Sequence, residues 1–145
     1  MKSKTKRFCT FALTLLLLPM SIAVPLQKAS AAIMYNNTTS ASLNCSVNSS
    51  GKLSAVMSVV GKAGKTSRIG VELYVEKKVM LVFWKKVDIG YPNNVWTDSV
   101  NATNYSNTFQ TDLSSTGTYR TTVTYTVSGS GGANDVITLT DTVTY

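Results

Sequence analysis

From Leu43 onward, apolar and polar residues alternate with a period of two and never with the 3.6 of a helix. Leu43, Cys45 and Val47 alternate with Asn44 and Ser46, and Asn48-Ser49-Ser50-Gly51 then forms a turn cluster. Leu53, Ala55, Met57 and Val59 share one face of a second strand, which ends at a turn over Gly61 to Lys65. In the third segment Ile69, Val71, Leu73 and Val75 point one way and Gly70, Glu72, Tyr74 and Glu76 the other. Such alternation predicts a sheet with one buried and one wet face, hence antiparallel pairing. Met80 to Ile89 reads as another apolar strand, and Tyr91-Pro92-Asn93-Asn94 as a turn. Val95 to Val100 and Ser106 to Thr111 follow as strands. Tyr119, Thr121, Val123, Tyr125 and Val127 then share one face, opposite Arg120, Thr122, Thr124 and Thr126. Ser128 to Asp135 reads as a loose glycine-rich loop, after which Val136 to Thr144 closes the sheet.

About eight short strands separated by turn signals predict an all-β sandwich or barrel. Gly117-Thr118-Tyr119 favours an immunoglobulin-like antiparallel β-sandwich of about 7–8 strands. That tyrosine opens the penultimate strand just after a turn, where the tyrosine corner of such folds sits. Thr121 stands where antibody-type domains carry a cysteine.

The front of the chain has a different pattern. Lys2, Lys4, Lys6 and Arg7 precede an apolar run from Phe8 to Val24, and Ala29-Ser30-Ala31 follows. This is the layout of a secretory signal peptide over residues 1–31. An uncleaved anchor is the alternative, weakened by Thr14, Pro19 and Ser21 inside the apolar run. The expected organisation is a signal peptide (1–31), a flexible lead-in (32–40) and a sandwich domain (41–145), released outside the cell. Five of the fourteen basic residues and none of the seven acids fall in the leader, so the net charge drops from +7 to +2. That balance gives no nucleic-acid signal. Cys9 leaves with the leader, and Cys45 remains as either a small buried hydrophobe or an exposed thiol.

Phe83-Trp84, Asn94-Val95-Trp96, Leu113-Ser114-Ser115-Thr116-Gly117-Thr118-Tyr119-Arg120, Val123-Thr124-Tyr125 and Ser128-Gly129-Ser130-Gly131-Gly132-Ala133 carry a resemblance. With Tyr35-Asn36-Asn37-Thr38, they resemble an uncharacterised family of small secreted proteins from Gram-positive bacteria. The resemblance implies export and an all-β fold, and it brings no catalytic or ligand residues.

The chain contains no histidine, which removes the usual general base and the commonest metal ligand. No metal site or cofactor is expected. Glu72 and Glu76 share a strand face, but four residues of strand separate them by about 13 Å, beyond the roughly 5–10 Å of glycosidase pairs. They read as solvated charges near Lys77 and Lys78. An enzyme would have to unite distant carboxylates such as Asp88 and Asp98. Gly61-Lys62-Ala63-Gly64-Lys65-Thr66 mimics the end of a phosphate-binding loop, but it precedes a strand and lacks the first glycine. Ser49-Ser50-Gly51-Lys52 mimics the S-x-x-K motif inside a hairpin turn.

Surface chemistry is left. Lys77-Lys78 and Lys85-Lys86 bracket Val79-Met80-Leu81-Val82-Phe83-Trp84. The plain reading is a strand buried on both faces, or a sheet edge guarded by lysines. The functional reading is an exposed contact element of Leu81, Val82, Phe83 and Trp84 with the four lysines, joined by Trp96. Aligned rings of Trp84, Trp96, Tyr74, Tyr91 and Tyr105 are the alternative, a platform for sugars. The expected function is therefore a non-enzymatic domain acting by surface contact with an unidentified extracellular partner, a protein or a cell-envelope glycan. A module for cell-envelope glycan and an effector on an anionic membrane surface are the alternatives. Tyr119, Gly117 and Cys45 are expected to serve the fold.

Overall fold

The computed structural model describes residues 34–145; the expected leader, with Cys9, lies outside the described residues. Eight strands follow in order: β1 (Thr38–Val47), β2 (Lys52–Gly61), β3 (Thr66–Val79), β4 (Phe83–Lys86), β5 (Trp96–Val100), β6 (Asn104–Asp112), β7 (Thr118–Gly129) and β8 (Asp135–Thr144). A single 3-10 turn, Pro92–Asn94, is the one helical element among the described residues. No helix there is long and apolar enough to cross a membrane.

The strands make two antiparallel sheets, one ordered β1-β2-β6 and one ordered β4-β3-β7-β8, with β5 also on β3. Both sheets face a common core, so the protein is an all-β antiparallel sandwich. The alternating residues supply that core. Leu53, Ala55, Met57 and Val59 of β2 face Ile69, Val71, Leu73 and Val75 of β3 and Val123, Tyr125 and Val127 of β7, all buried. Each such aliphatic side chain contributes roughly 1.5–3 kcal/mol by leaving water. Tyrosines tie the layers together: Tyr125 donates to the Ser42 carbonyl at 2.8 Å and Tyr105 to Asp98 at 2.9 Å. The Tyr119 hydroxyl donates to the Ser115 carbonyl at 2.6 Å, forming the expected corner.

Three segments depart from the sequence reading. The lead-in expected to be flexible is held from Asn36 onward. Asn37 and Thr38 are buried, and the Asp135 carboxylate accepts from Asn36 N–H, Asn37 N–H and the Thr38 hydroxyl. The loop expected to be loose is the cradle of that segment. A Cβ at Gly131 would strike the Asn36 carbonyl, and one at Gly129 the Lys65 carbonyl. The phosphate-loop mimic is the β2–β3 turn, where Thr66 and Lys62 bond the carbonyls of Asn37 and Tyr35.

The third departure is the strand expected over Met80 to Ile89. Met80 to Val82 turn the chain, and β4 pairs with β3 only from Phe83 to Lys86. Asp88 Oδ1 then accepts from the Gly90 N–H at 2.9 Å, an Asx-type turn that peels the chain away. It rejoins β3 at Trp96, so β4 and β5 occupy successive halves of one edge.

Candidate contact surface

At 14 residues β3 outruns the core, and its last turn of sequence makes a hairpin with β4. Lys77 pairs with Lys85, Lys78 with Trp84 and Val79 with Phe83. Beyond these pairs the tip carries Met80, Leu81, Val82 and Phe83, exposed by 85%, 86%, 71% and 62%. The strand is therefore not buried on both faces. Met80 takes a φ of 55°, a left-handed conformation that costs a non-glycine residue roughly 1–2 kcal/mol.

The lysines divide between the two faces. Lys77 reaches back along the inner side: its ammonium donates to Ser115 Oγ at 2.6 Å and lies 5.4 Å from the Tyr119 ring centroid. Gly117 leaves room for it, since a Cβ there would meet Lys77 Cε at 2.8 Å. Lys85 stands opposite it, exposed and without a carboxylate partner among the described residues. On the outer face Lys78 is 6.0 Å from the Trp84 ring and Lys86 is 4.5 Å from that of Tyr74. Arg120 sits 4.3 Å over Trp84 and sends two donors to Glu76 Oε2, at 2.9 and 2.6 Å. Glu76 is thus an ion-pair partner of Arg120, not a solvated charge. Sequence reasoning missed this pair because it depends on the β3–β7 register, which sets Glu76 opposite Arg120.

Leu81, Val82, Phe83 and Trp84 come together with Lys77, Lys78, Lys85 and Lys86, as the candidate surface requires. Trp96 does not join them. It pairs with Leu73 on the core side of the sheet and packs 5.6 Å from Phe109. Tyr105 is buried as well, so the expected row of five rings is not assembled. Trp84 and Tyr74 alone share the outer face, each under a cation.

Burial pushes the Tyr105 hydroxyl up to about 12, and Asp98 beside it acts in the same sense. Asp98 is occupied by Tyr105 and Asn107, whereas Asp88 lines a separate depression of about 130 Å³ with Asp112. The two carboxylates do not share a cleft. Among the described residues no three of His, Cys, Asp or Glu are grouped to hold a metal ion.

Cys45 is half-buried. Burial pushes its thiol up to about 11, with Thr121 pulling the other way and the Asp141 charge adding to the rise. Among the described residues Thr121 Oγ1 is buried without a hydrogen-bond partner.

A second depression lies on the outer face of the five-stranded sheet. It is an open groove of about 640 Å³ over Gly70, with Arg68, Glu72, Thr97, Ser99, Thr126 and Ser128 around it. The sequence signal for it was a glycine in the middle of the most regular strand.

In comparisons with known proteins, no family model, no curated protein and no solved structure matches the chain.

Proposed function

We propose that this is an exported, non-enzymatic recognition domain whose contact element is the β3–β4 hairpin, addressed to an anionic membrane surface. The observation that carries the reading is the tip itself: four consecutive apolar residues, Met80 to Phe83, largely exposed between two lysine pairs. The ten residues from Lys77 to Lys86 hold four lysines and no acid. An apolar tip gains by entering the acyl boundary, and lysines behind it gain roughly 1 kcal/mol each near an anionic leaflet. The geometry suits that depth order, because the lysines flank the strands and the apolar residues cap them.

The cost of the arrangement within the folded protein supports the reading too. Lys77 and Lys85 are directly opposed on neighbouring strands, a pairing that destabilises a sheet. Anionic headgroups around the hairpin relieve that repulsion.

Flotation of the folded protein with vesicles tests the proposal. Co-flotation is expected with vesicles rich in phosphatidylglycerol and not with pure phosphatidylcholine, and it should fall as salt screens the lysines. Leu81→Asp with Phe83→Ser should abolish it. Equal binding to both vesicle types, or none to either, overturns the reading.

A further inference from the structure

The groove over Gly70 lies ten residues, or roughly 33 Å, along the chain from Met80 at the hairpin tip and makes no use of it. Gly70 is odd among the nine glycines. Five others take positive φ, and Gly61, Gly129 and Gly131 abut neighbouring backbone or side-chain atoms. Gly70 does neither: a Cβ built there meets only the Thr126 carbonyl, at 3.9 Å. Its strand is internal, paired with Ser99 of β5 on one side and Thr126 of β7 on the other. Glycine weakens a strand interior, and where the fold does not require it, it marks the close approach of something else. Here the missing side chain is the floor of the 640 Å³ groove, a size within the roughly 300–1,000 Å³ of small-molecule sites.

The lining narrows the ligand. Thr97 and Ser99 stand on one flank, Thr126 and Ser128 on the other, each hydroxyl able to donate and accept. Arg68 lies at one end of the floor and Glu72 at the other, four residues or about 13 Å apart along the strand. Neither forms a salt bridge among the described residues; Arg68 reaches only Ser99 Oγ, at 3.4 Å. A peptide strand is excluded as occupant, because both edges of β3 are already paired here. A simple anion is disfavoured, because the one guanidinium is offset by Glu72, and Asp98, also in the lining, adds a second carboxylate that is engaged by Tyr105 and Asn107. Hydroxyl flanks with one fixed donor and one fixed acceptor suit a ligand bearing many hydroxyls.

We propose that this groove is a binding site for a saccharide, separate from the hairpin tip. Soluble hexasaccharides of the chito-, cello-, malto- and xylo- series can be titrated into the folded protein and followed through its amide NMR signals. At least one series should shift the amides of Gly70, Ser99 and Thr126 at concentrations up to about 10 mM, the weak end of measurable affinity. Gly70→Leu, which fills the floor without backbone strain, and Glu72→Gln should each weaken binding at least about tenfold. Leu81→Asp at the tip should leave it unchanged. Should Gly70→Leu fail to fold, Glu72→Gln decides alone. Silence from all four series overturns the proposal, as does undiminished binding by a folded groove variant or loss of binding in Leu81→Asp.

Discussion

The backbone N–H of Asn37 donates to the Asp135 carboxylate at 2.7 Å, joining residues 98 positions apart. The bond links the residue just before the edge strand β1 of one sheet to the edge strand β8 of the other, and within β1 the Cys45 N–H repeats the device on Asp141, also at 2.7 Å. Two aspartates of β8 thus close one side of the sandwich over β1. Asp135 is the more demanding of the pair, since it is buried and also serves Asn36 and Thr38. Asp135→Ala strands two backbone donors and should cost about 1.5–3 kcal/mol, the range for hydrogen bonds to a charged group. Urea unfolding followed by circular dichroism measures it; a loss below half of that would place the hold on β1 elsewhere.

The same carboxylate sets a pH dependence. Burial alone pushes the Asp135 carboxyl up, but donation from Asn36, Asn37 and Thr38 outweighs it and holds the carboxyl below the usual aspartate range. A group with a depressed folded value stabilises the fold above its unfolded value, and that stability disappears as pH falls through the folded one. The window therefore opens near the ordinary aspartate value of about 3.9 and closes below it. Wild-type protein should lose thermal stability steeply on acidification there. Asp135→Asn should start lower and show a shallower slope, and parallel curves for the two proteins would contradict the assignment.

Tyr119 offers a cleaner deletion. Its ring is buried and its hydroxyl donates to the Ser115 carbonyl. Tyr119→Phe keeps the ring and removes one hydrogen bond, so about 1 kcal/mol should be lost. Because Ser115 also accepts the Lys77 ammonium, the variant should loosen the Ser114–Gly117 turn as well, visible as faster amide exchange at Gly117.

The strands and their buried faces were legible in the sequence because period-two alternation reports burial residue by residue. Ile69 to Val75 and Tyr119 to Val127 are the clearest cases. The corner at Tyr119 was legible from a local turn signal. What was not legible depends on pairing between distant segments. The polar Asn36-Asn37-Thr38 stretch carries no burial signal of its own, and only Asp135 and the glycines of the facing loop explain why it is enclosed. Trp96 failed as a surface residue for a related reason: its side of the strand is set by its partner Leu73, not by its own aromatic character. The exposure of Leu81 to Phe83 was legible only as one of two readings, decided by how far β3 runs past the core.

Cys45 should be a poor nucleophile. With its thiol pushed up to about 11, almost none is thiolate at neutral pH, and only the thiolate reacts. Alkylation of folded protein by iodoacetamide should be far slower at pH 8 than after denaturation, and it should accelerate as pH approaches 11. A folded-state rate matching the denatured one would mean that the thiol is open and unperturbed.

Lys85 brings stability and contact into opposition. It faces Lys77 across the hairpin, whereas the neighbouring pair, Glu76 with Lys86, is of opposite charge. Lys85→Glu converts the one repulsive pair to an attractive one, and cross-strand pairs of this kind contribute about 0.2–1 kcal/mol. The hairpin should therefore become more stable, with slower amide exchange at Val79 and Phe83. The same change cuts the charge of the Lys77–Lys86 segment from +4 to +2, so flotation with phosphatidylglycerol vesicles should weaken. If like charges stood opposed only by indifference, stability and vesicle binding would vary independently across substitutions at Lys77 and Lys85. A fold that holds them together for an anionic surface requires each gain in one to be a loss in the other.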